Sequence, residues 1–493
     1  MERTIVTSKI NSAEEEDKMN ISHLVKERKR CNSHFVTKIE DGKTEYSKQK
    51  DIIAIFHRYF TDMFDDKSVH VSQNFNPNPI RDEFTHVLNE IVQKGELSPS
   101  QRQGIMALIK KIPHPKTAEH YRPITLLNTD YKILARIVNN RLKSILQDII
   151  HETQFAGVKT RSVFDSTIAI RDLLAYHTKL GRKGLLISID FSKAFDKIRH
   201  VFLFHTLQRY GFDTNFIKKV KIFYTNISST LQINGHYSKP IAINRSVRKG
   251  CPLFMSLFVI ALNPLLEYLH QSLTGLNLQT TRLTKLSYAD DVNILLYNDL
   301  EIPRMWQILQ KFEEDSGLNI NISKSRVLPL GKWENPPHCP PLLTTDKVKI
   351  LGVIHSSNWN KIQGLNWNPI VAKIKGKLQT SYPRENCLNN RILNLNTYIL
   401  SLLWYVAQVI PIPMNYSDNY KQQSHGISGN EPYLGCHFQQ PLREEGGLDF
   451  IRIPTKCASL LVSRYLKQQQ TDNMAAKNLH FSKTLFRQVL KMT

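Results

Sequence analysis

Residues 285–297 read KLSYADDVNILLY. Leu286 and Tyr288 lead into Asp290 and Asp291, and Val292, Ile294, Leu295 and Leu296 lead out. An apolar run, a tight acidic turn and a second apolar run predict a β-hairpin with two carboxylates at its tip. Adjacent carboxylates repel. Bound cations relieve that most simply, and Mg2+ prefers carboxylate oxygens together with substrate phosphates. The bland alternative is a solvated turn, where Asp pairs are common. A second acidic strand end lies upstream, in LLISIDFSKAFDKIRH (185–200). Leu185 to Ile189 is a short apolar run suited to a buried strand, Asp190 follows at once, and Asp196 lies beyond it. If the two strands share a sheet, Asp190 comes beside Asp290 and Asp291. Two metal ions roughly 3.5–4 Å apart would then clamp an in-line phosphoryl displacement.

The rest of the chain supplies a setting of opposite charge. Its 493 residues, enough for roughly three domains, carry 66 Lys and Arg against 43 Asp and Glu, a formal net charge of +23. That excess points to a polyanion, most simply nucleic acid, with an anionic membrane surface as the rival. It is uneven: residues 1–80 hold 13 basic and 13 acidic residues, 81–330 hold 34 and 21, and 331–493 hold 19 and 9. The six cysteines include no C-x-x-C pair, which argues against a zinc knuckle, and their scatter argues against a disulfide scaffold. The N-terminal MERTIVTSKINSAEEEDK lacks the apolar centre of a secretory signal, so an intracellular chain is expected.

Local pattern suggests the organisation. DIIAIFHRYFTDMF (51–64) has helical apolar spacing, and the basic run at Lys26–Arg30 reads as solvated surface rather than a nuclear signal. VSQNFNPNPI (71–80) and NPPHCPP (335–341) read as breaks. Residues 131–149 predict one amphipathic helix, capped by Asn128 or Thr129. Ile392 to Ser417 carries no charge and is long enough to span a bilayer. Its asparagines and prolines favour a buried helix instead.

Taken together, these motifs resemble the reverse transcriptase region of a LINE-type (non-LTR) retrotransposon polyprotein, over about residues 50–465. FSKAFD after Asp190 is similar to the family's first palm motif and YADD to its third. The resemblance implies Asp190, Asp290 and Asp291 as metal ligands, helped by the Phe191 carbonyl. GIMALIKKIPHPKTAEHYRPITLLNTDYKILARIVNNRL (104–142) resembles the fingers, with Arg122 and Lys111 on the incoming triphosphate and Lys110 an equal candidate by spacing. TQFAGVKTRSVFDSTIAIRDLL (153–174) matches the segment before the first palm motif. VRKGCPLFMSLF (247–258) resembles the second, with Gly250 allowing close backbone approach, Lys249 where Gln is usual and Phe254 where Ser is usual. Cys251 reads as a packed residue, not a nucleophile. FEEDSGLNINISKSRVL (312–328) resembles the fourth motif, with Lys324 as the general acid for pyrophosphate. KILGV (349–353) resembles the primer grip, at Leu351 and Gly352. The stretch from Trp367 to REEGGLDF (443–450) resembles the thumb and the segment after it.

What the resemblance implies is an α+β right-hand polymerase. Its palm would be an antiparallel sheet with helices on one face, its fingers helical and its thumb mainly helical. The expected divisions are a partly helical extension at 1–80, fingers and palm at 81–334, primer grip, thumb and post-thumb segment at 335–465, and a tail at 466–493. The implied reaction is RNA-directed DNA synthesis with two Mg2+ ions, Mn2+ being possible. RNA template, DNA primer or target and dNTPs would be the partners, with no membrane, in nucleus and cytoplasm. Phe195, five residues after Asp190, would exclude a ribose 2′-hydroxyl, whereas an RNA polymerase would use an Asp near Asp196 to receive it. Any endonuclease would come from elsewhere. The alternative is a decayed remnant that only binds nucleic acid.

Overall fold

The computed structural model describes residues 39–41, 44–46, 79–381 apart from 235, 336 and 338, then 395–413 and 453–470. The helix expected at 51–64, the basic run at Lys26–Arg30 and REEGGLDF at 443–450 lie outside the described residues. Two compact units result: Met1–Gln93 with Lys111–Ala118, and Lys94–Lys110 with Glu119–Thr493. The first holds an antiparallel hairpin of β1 (Ile39–Asp41) and β2 (Thr44–Tyr46), and most of helix α1 (Pro79–Lys94).

The second unit begins with β3 (Gln103–Lys110), β4 (Tyr121–Leu126), α2 (Thr129–Lys143), α3 (Val163–Leu180) and β5 (Gly184–Ile189). β6 (Ser228–Ile233), β7 (His236–Tyr237) and β8 (Ile241–Ala242) precede α4 (Phe254–Ser272) and the hairpin of β9 (Leu276–Leu278) and β10 (Thr281–Leu283). Next come β11 (Lys285–Tyr288), β12 (Asp291–Leu296), α5 (Ile302–Ser316), β13 (Arg326–Leu330) and β14 (Leu343–Thr344). β15 (Lys347–Ile350), β16 (Val353–Ser356), α6 (Trp359–Ser381), α7 (Ser401–Ala407) and α8 (Ile453–Gln470) follow, and the helices His200–Arg209 and Thr214–Ile222 stand between β5 and β6.

The central sheet has the order β11-β12-β5-β13-β14. It is antiparallel except for the β13–β14 pair. Leu186, Leu286, Leu295, Leu328 and Leu330 pack with Ile170, Leu173 and Leu174 of α3. On the other face Ile187, Ile189, Val292 and Ile294 are equally buried. The sheet is therefore a middle layer rather than one covered by helices on a single face. Its strands read as continuous apolar runs because neither face meets water.

Three expectations change. The fingers region is not all helical: β4, β3, β6 and β7 form a sheet, with β8 pairing β6. β3 pairs antiparallel with β4 and parallel with β6. The helix expected over 131–149 is α2, which ends at Lys143, and a short separate turn, Leu146–Ile149. Asn128 stands at its cap position, but the amide donates to Ser100 O at 3.1 Å rather than capping. The uncharged stretch is not one long helix either. Its described residues form a π-helical turn, Leu395–Ile399, then α7. Leu395, Ile399, Leu403 and Val406 pack with Trp367 of α6 and Cys457 of α8. Among the described residues no helix is long and apolar enough to cross a membrane.

Candidate active site

β11 and β12 pair with Tyr288 opposite Asp291, so Ala289 and Asp290 form a two-residue loop. Ala289 takes φ +52°, a left-handed conformation that costs a non-glycine residue about 1–2 kcal/mol. β12 also pairs with β5, Val292 opposite Ile189. Asp190 follows Ile189 and Asp291 precedes Val292, so both lie at the same end of the paired strands, and the charge of Asp190 acts on Asp291. Two acidic strand ends far apart in the chain thus meet at one edge of the sheet.

The segment after α5 fixes the backbone of Asp190. Its N–H donates to Ser325 Oγ at 3.0 Å, and its carbonyl accepts from Asn321 N at 2.7 Å. Ser192 N donates to Asn319 O at 2.7 Å, and Phe191, buried, bridges to Ile320. Ser325 is itself fully buried. Sequence reasoning passed over it, and the only sign was its place beside Lys324. The Lys324 ammonium lies 4.0 Å from Asp190 Oδ2, with its side chain 69% exposed, so it stands at the rim.

Burial pushes the Asp290 carboxyl up, and Asp190 adds to this while Lys249 opposes it. Asp291 is pushed up to about 6, first by burial and then by the like charges of Asp290 and Asp190. Its carboxylate has an open edge, yet it sits against protein that withholds most hydration. Among the described residues, no three His, Cys, Asp or Glu side chains are gathered closely enough to hold an ion. Asp190, Asp290 and Asp291 are nonetheless near enough for the charge of Asp190 to raise the pKa of the other two. The donor set is all hard oxygen, which suits Mg2+ or Mn2+ and not a soft metal.

Phe195 lies in the short helix Ala194–Lys197 that comes after Asp190. Its ring centroid is 4.4 Å from that of Phe258 and 5.7 Å from that of Phe254. The Lys249 ammonium sits over the same ring at 5.6 Å and bonds Asp196 Oδ2 at 2.8 Å. Phe254, where Ser is usual in the family pattern, forms one wall around Phe195. Gly250, at φ +104°, makes a close approach to protein: a Cβ there would meet Thr125 O of β4 at 2.2 Å. No other residue type fits that loop. Cys251 is buried, and burial raises its thiol pKa, as suits a packed residue.

The remaining candidates are more dispersed. Arg122 is exposed on β4, opposite Ile109, and among the described residues forms no ion pair with the three aspartates. Lys110 ends β3, and Lys111 is exposed in Lys111–Ala118 of the first unit. Leu351 and Gly352 form the tip between β15 and β16, with φ +48° and +83°. Both central residues of such a two-residue turn take positive φ. Tyr405 of α7 donates its hydroxyl to Leu351 O.

A mostly antiparallel sheet with an acidic hairpin beside a second strand-end aspartate, packed between helices, defines a right-hand polymerase. The family described as reverse transcriptase (RNA-dependent DNA polymerase) matches residues 110–355, about half of the chain. The chain belongs to that family, as the reverse transcriptase region of a LINE-type, non-LTR retrotransposon polyprotein. It is 33% identical over 331 residues to a protein of Xenopus laevis named "Transposon TX1 uncharacterized 149 kDa protein", covering 66% of this chain and 25% of that one. It is 25% identical over 246 residues to the Pol polyprotein of the type-1 retrotransposable element R2 of Popillia japonica, covering 49% and 34%. The chain thus spans about a quarter to a third of these relatives' length. Among solved structures it is similar to apo telomerase from Candida tropicalis (10% identity, 84% of this chain and 73% of that one, TM-score 0.41). It is similar too to the RNA-dependent RNA polymerase of a human picorbirnavirus (14% identity, 79% and 65%, TM-score 0.41).

Proposed function

We propose that this chain extends a DNA primer 3′-hydroxyl with dNTPs on an RNA template, with Asp190, Asp290 and Asp291 as the carboxylates that hold two divalent cations. The observation that supports this reading is the pairing of β5 with β12, Val292 opposite Ile189, which leaves Asp190 and Asp291 at the same end of the two strands with the charge of Asp190 acting on Asp291. Mg2+, or Mn2+ in its place, would supply the charge that makes the primer hydroxyl a nucleophile and neutralises the triphosphate. The chain's own residues do the rest. Asp190, Asp290, Asp291 and the Phe191 carbonyl present hard oxygens. Lys324, exposed at the rim, delivers a proton to the departing pyrophosphate. Arg122 and the Lys249–Gly250 loop face the nucleotide, and Phe195 lies against its sugar. Lys111 is a triphosphate contact by the family resemblance alone. Residues 81–334 act as fingers and palm. Residues 335–465 act as primer grip and thumb, with the Leu351–Gly352 turn orienting the primer end.

The packing of Phe195 supports DNA synthesis over RNA synthesis. Asp196, the residue that would receive a 2′-hydroxyl, is engaged by Lys249. The same contacts weigh against the decayed-remnant reading. Lys249 and Phe254, the two departures in the second motif, both have partners around Phe195. Extension of a DNA primer on an RNA template, with Mg2+ and dNTPs, tests the proposal. Product from the native chain and none from Asp290→Asn is expected. RNA binding without extension by the native chain would overturn it in favour of the remnant.

A further inference from the structure

The turn that carries Asp290 is not self-supporting. Ala289 holds a left-handed conformation without being glycine, and it is 5% exposed, so water does not satisfy its backbone. The group that does is Gln154, fully buried and far away in sequence. Its Oε1 accepts from Ala289 N at 2.9 Å and from Ala156 N at 3.0 Å, and its Nε2 donates to Ala289 O at 3.3 Å. Two backbone N–H groups converge on one side-chain atom, which must therefore be the oxygen, so the orientation of the amide is chemically determined. The segment around Gln154 is itself fixed to β11. Phe155 N donates to Ser287 O, and Ser287 N donates to Thr153 O, each at 2.9 Å. A primary amide is the one side chain of this length that satisfies both an N–H and a C=O of the same strained residue. Glutamate has no donor for Ala289 O, and methionine has neither group.

We infer that Gln154 is a positioning residue that locks the Ala289 turn and so sets where Asp290 and Asp291 point when they bind a divalent cation. This rests on the metal-ligand reading of those aspartates. Gln154 touches neither metal nor nucleotide; it acts through the backbone of one alanine.

The experiment is a titration of the full chain with Mn2+ alone, read by electron paramagnetic resonance, beside thermal unfolding of each variant. Gln154→Met is expected to weaken Mn2+ binding by roughly 10–100-fold, as loss of outer supports of metal ligands does. Adding Ala289→Gly, for which the left-handed turn carries no penalty, should recover most of that affinity even if the unfolding temperature stays low. A Gln154→Met variant that binds Mn2+ like the native chain, or a double variant with no recovery, would overturn the inference. Asp290→Asn separates the two layers of argument. If it leaves Mn2+ binding intact, the metal-ligand reading falls and takes this inference with it. If it abolishes binding while Gln154→Met does not, only the positioning role falls. Should Gln154→Met fail to fold, amide hydrogen exchange on the native chain tests the same clamp. The Ala289 N–H should exchange as slowly as the β11–β12 ladder, and exchange at the rate of an open turn would refute it.

Discussion

Lys249 Nζ lies 2.8 Å from Asp196 Oδ2, and both side chains are about 30% exposed or less. The lysine stands in a slot where the family pattern has glutamine. Its charge opposes the rise that burial imposes on the pKa of the nearby Asp290 carboxyl. Pairing with Asp196 gives the charge a fixed partner and leaves the ammonium over the Phe195 ring. We expect Lys249→Gln to retain dNTP extension to within about tenfold, a change of no more than about 1.4 kcal/mol in the barrier. We expect it to lose about 1 kcal/mol or less in urea unfolding, as a half-exposed pair should. Loss of all extension in a folded Lys249→Gln variant would mean that the lysine has an active role of its own.

The ring contacts of Phe195 predict a graded change in sugar discrimination. Phe258, Phe254 and Lys249 hold the ring on three sides. Phe195→Val deletes it and should raise rNTP incorporation most. Phe254→Ser removes one wall, leaves the ring in place and should give a smaller rise. Single-nucleotide primer extension with matched dNTP and rNTP measures both. Unchanged discrimination in Phe195→Val would remove the gate assignment. A normal Phe254→Ser beside a leaky Phe195→Val would leave the gate and discard its support.

These results divide what was legible in the sequence from what was not. The three aspartates were legible because an apolar run that stops at a carboxylate is a local pattern. The partnership of β5 with β12 was expected only as a possibility, since strand register across a long loop leaves no local mark. The sheet of β3, β4 and β6 went unread for a similar reason. β3 is mostly half-buried and lacks clean alternation, and Pro123 interrupts β4. That Phe254 meets the ring of Phe195 leaves no local mark either, because the two stand on separate segments of the chain. Gln154 falls within the family-like segment 153–174, but nothing local gives it a role, because its Ala289 partner lies 135 residues later.

The acidic centre predicts a metal-dependent gain in stability. Bringing a divalent cation to Asp190, Asp290 and Asp291 relieves like-charge repulsion in the folded chain and has no equivalent in the unfolded one. Millimolar Mg2+ should therefore raise the unfolding temperature. Asp290→Asn should remove most of that rise and all extension while RNA affinity changes little, because the basic surface is untouched. Thermal scans with and without Mg2+, together with filter binding to RNA, check this. Retained extension in Asp290→Asn would refute the ligand role.

Lys285, on the strand that leads into the acidic turn, predicts a pH-dependent stability. Its side chain is fully buried, and its Nζ lies 2.8 Å from His151 Nε2. Burial drives its pKa down to about 7, against the opposing pull of Glu267 and Glu152 and with a further push from Arg282. Burial and the Lys285 charge likewise lower His151 to about 3, so the imidazole is neutral and offers no counter-charge. Between pH 7 and the ordinary lysine value of about 10.4, the unfolded chain holds a proton that the folded chain lacks. Stability contributed by this group therefore rises with pH across that window. Below pH 7 the charge is present in both states, and the fold bears the full cost of burying it. Lys285→Met, similar in length and uncharged, should stabilise the protein most below pH 7, by a few kcal/mol at about 1.4 kcal/mol per unit of displacement, and progressively less towards pH 10. Urea midpoints of both proteins at pH 6, 8 and 10 measure the gap, and a gap of constant size would show that Lys285 does not titrate as its burial requires.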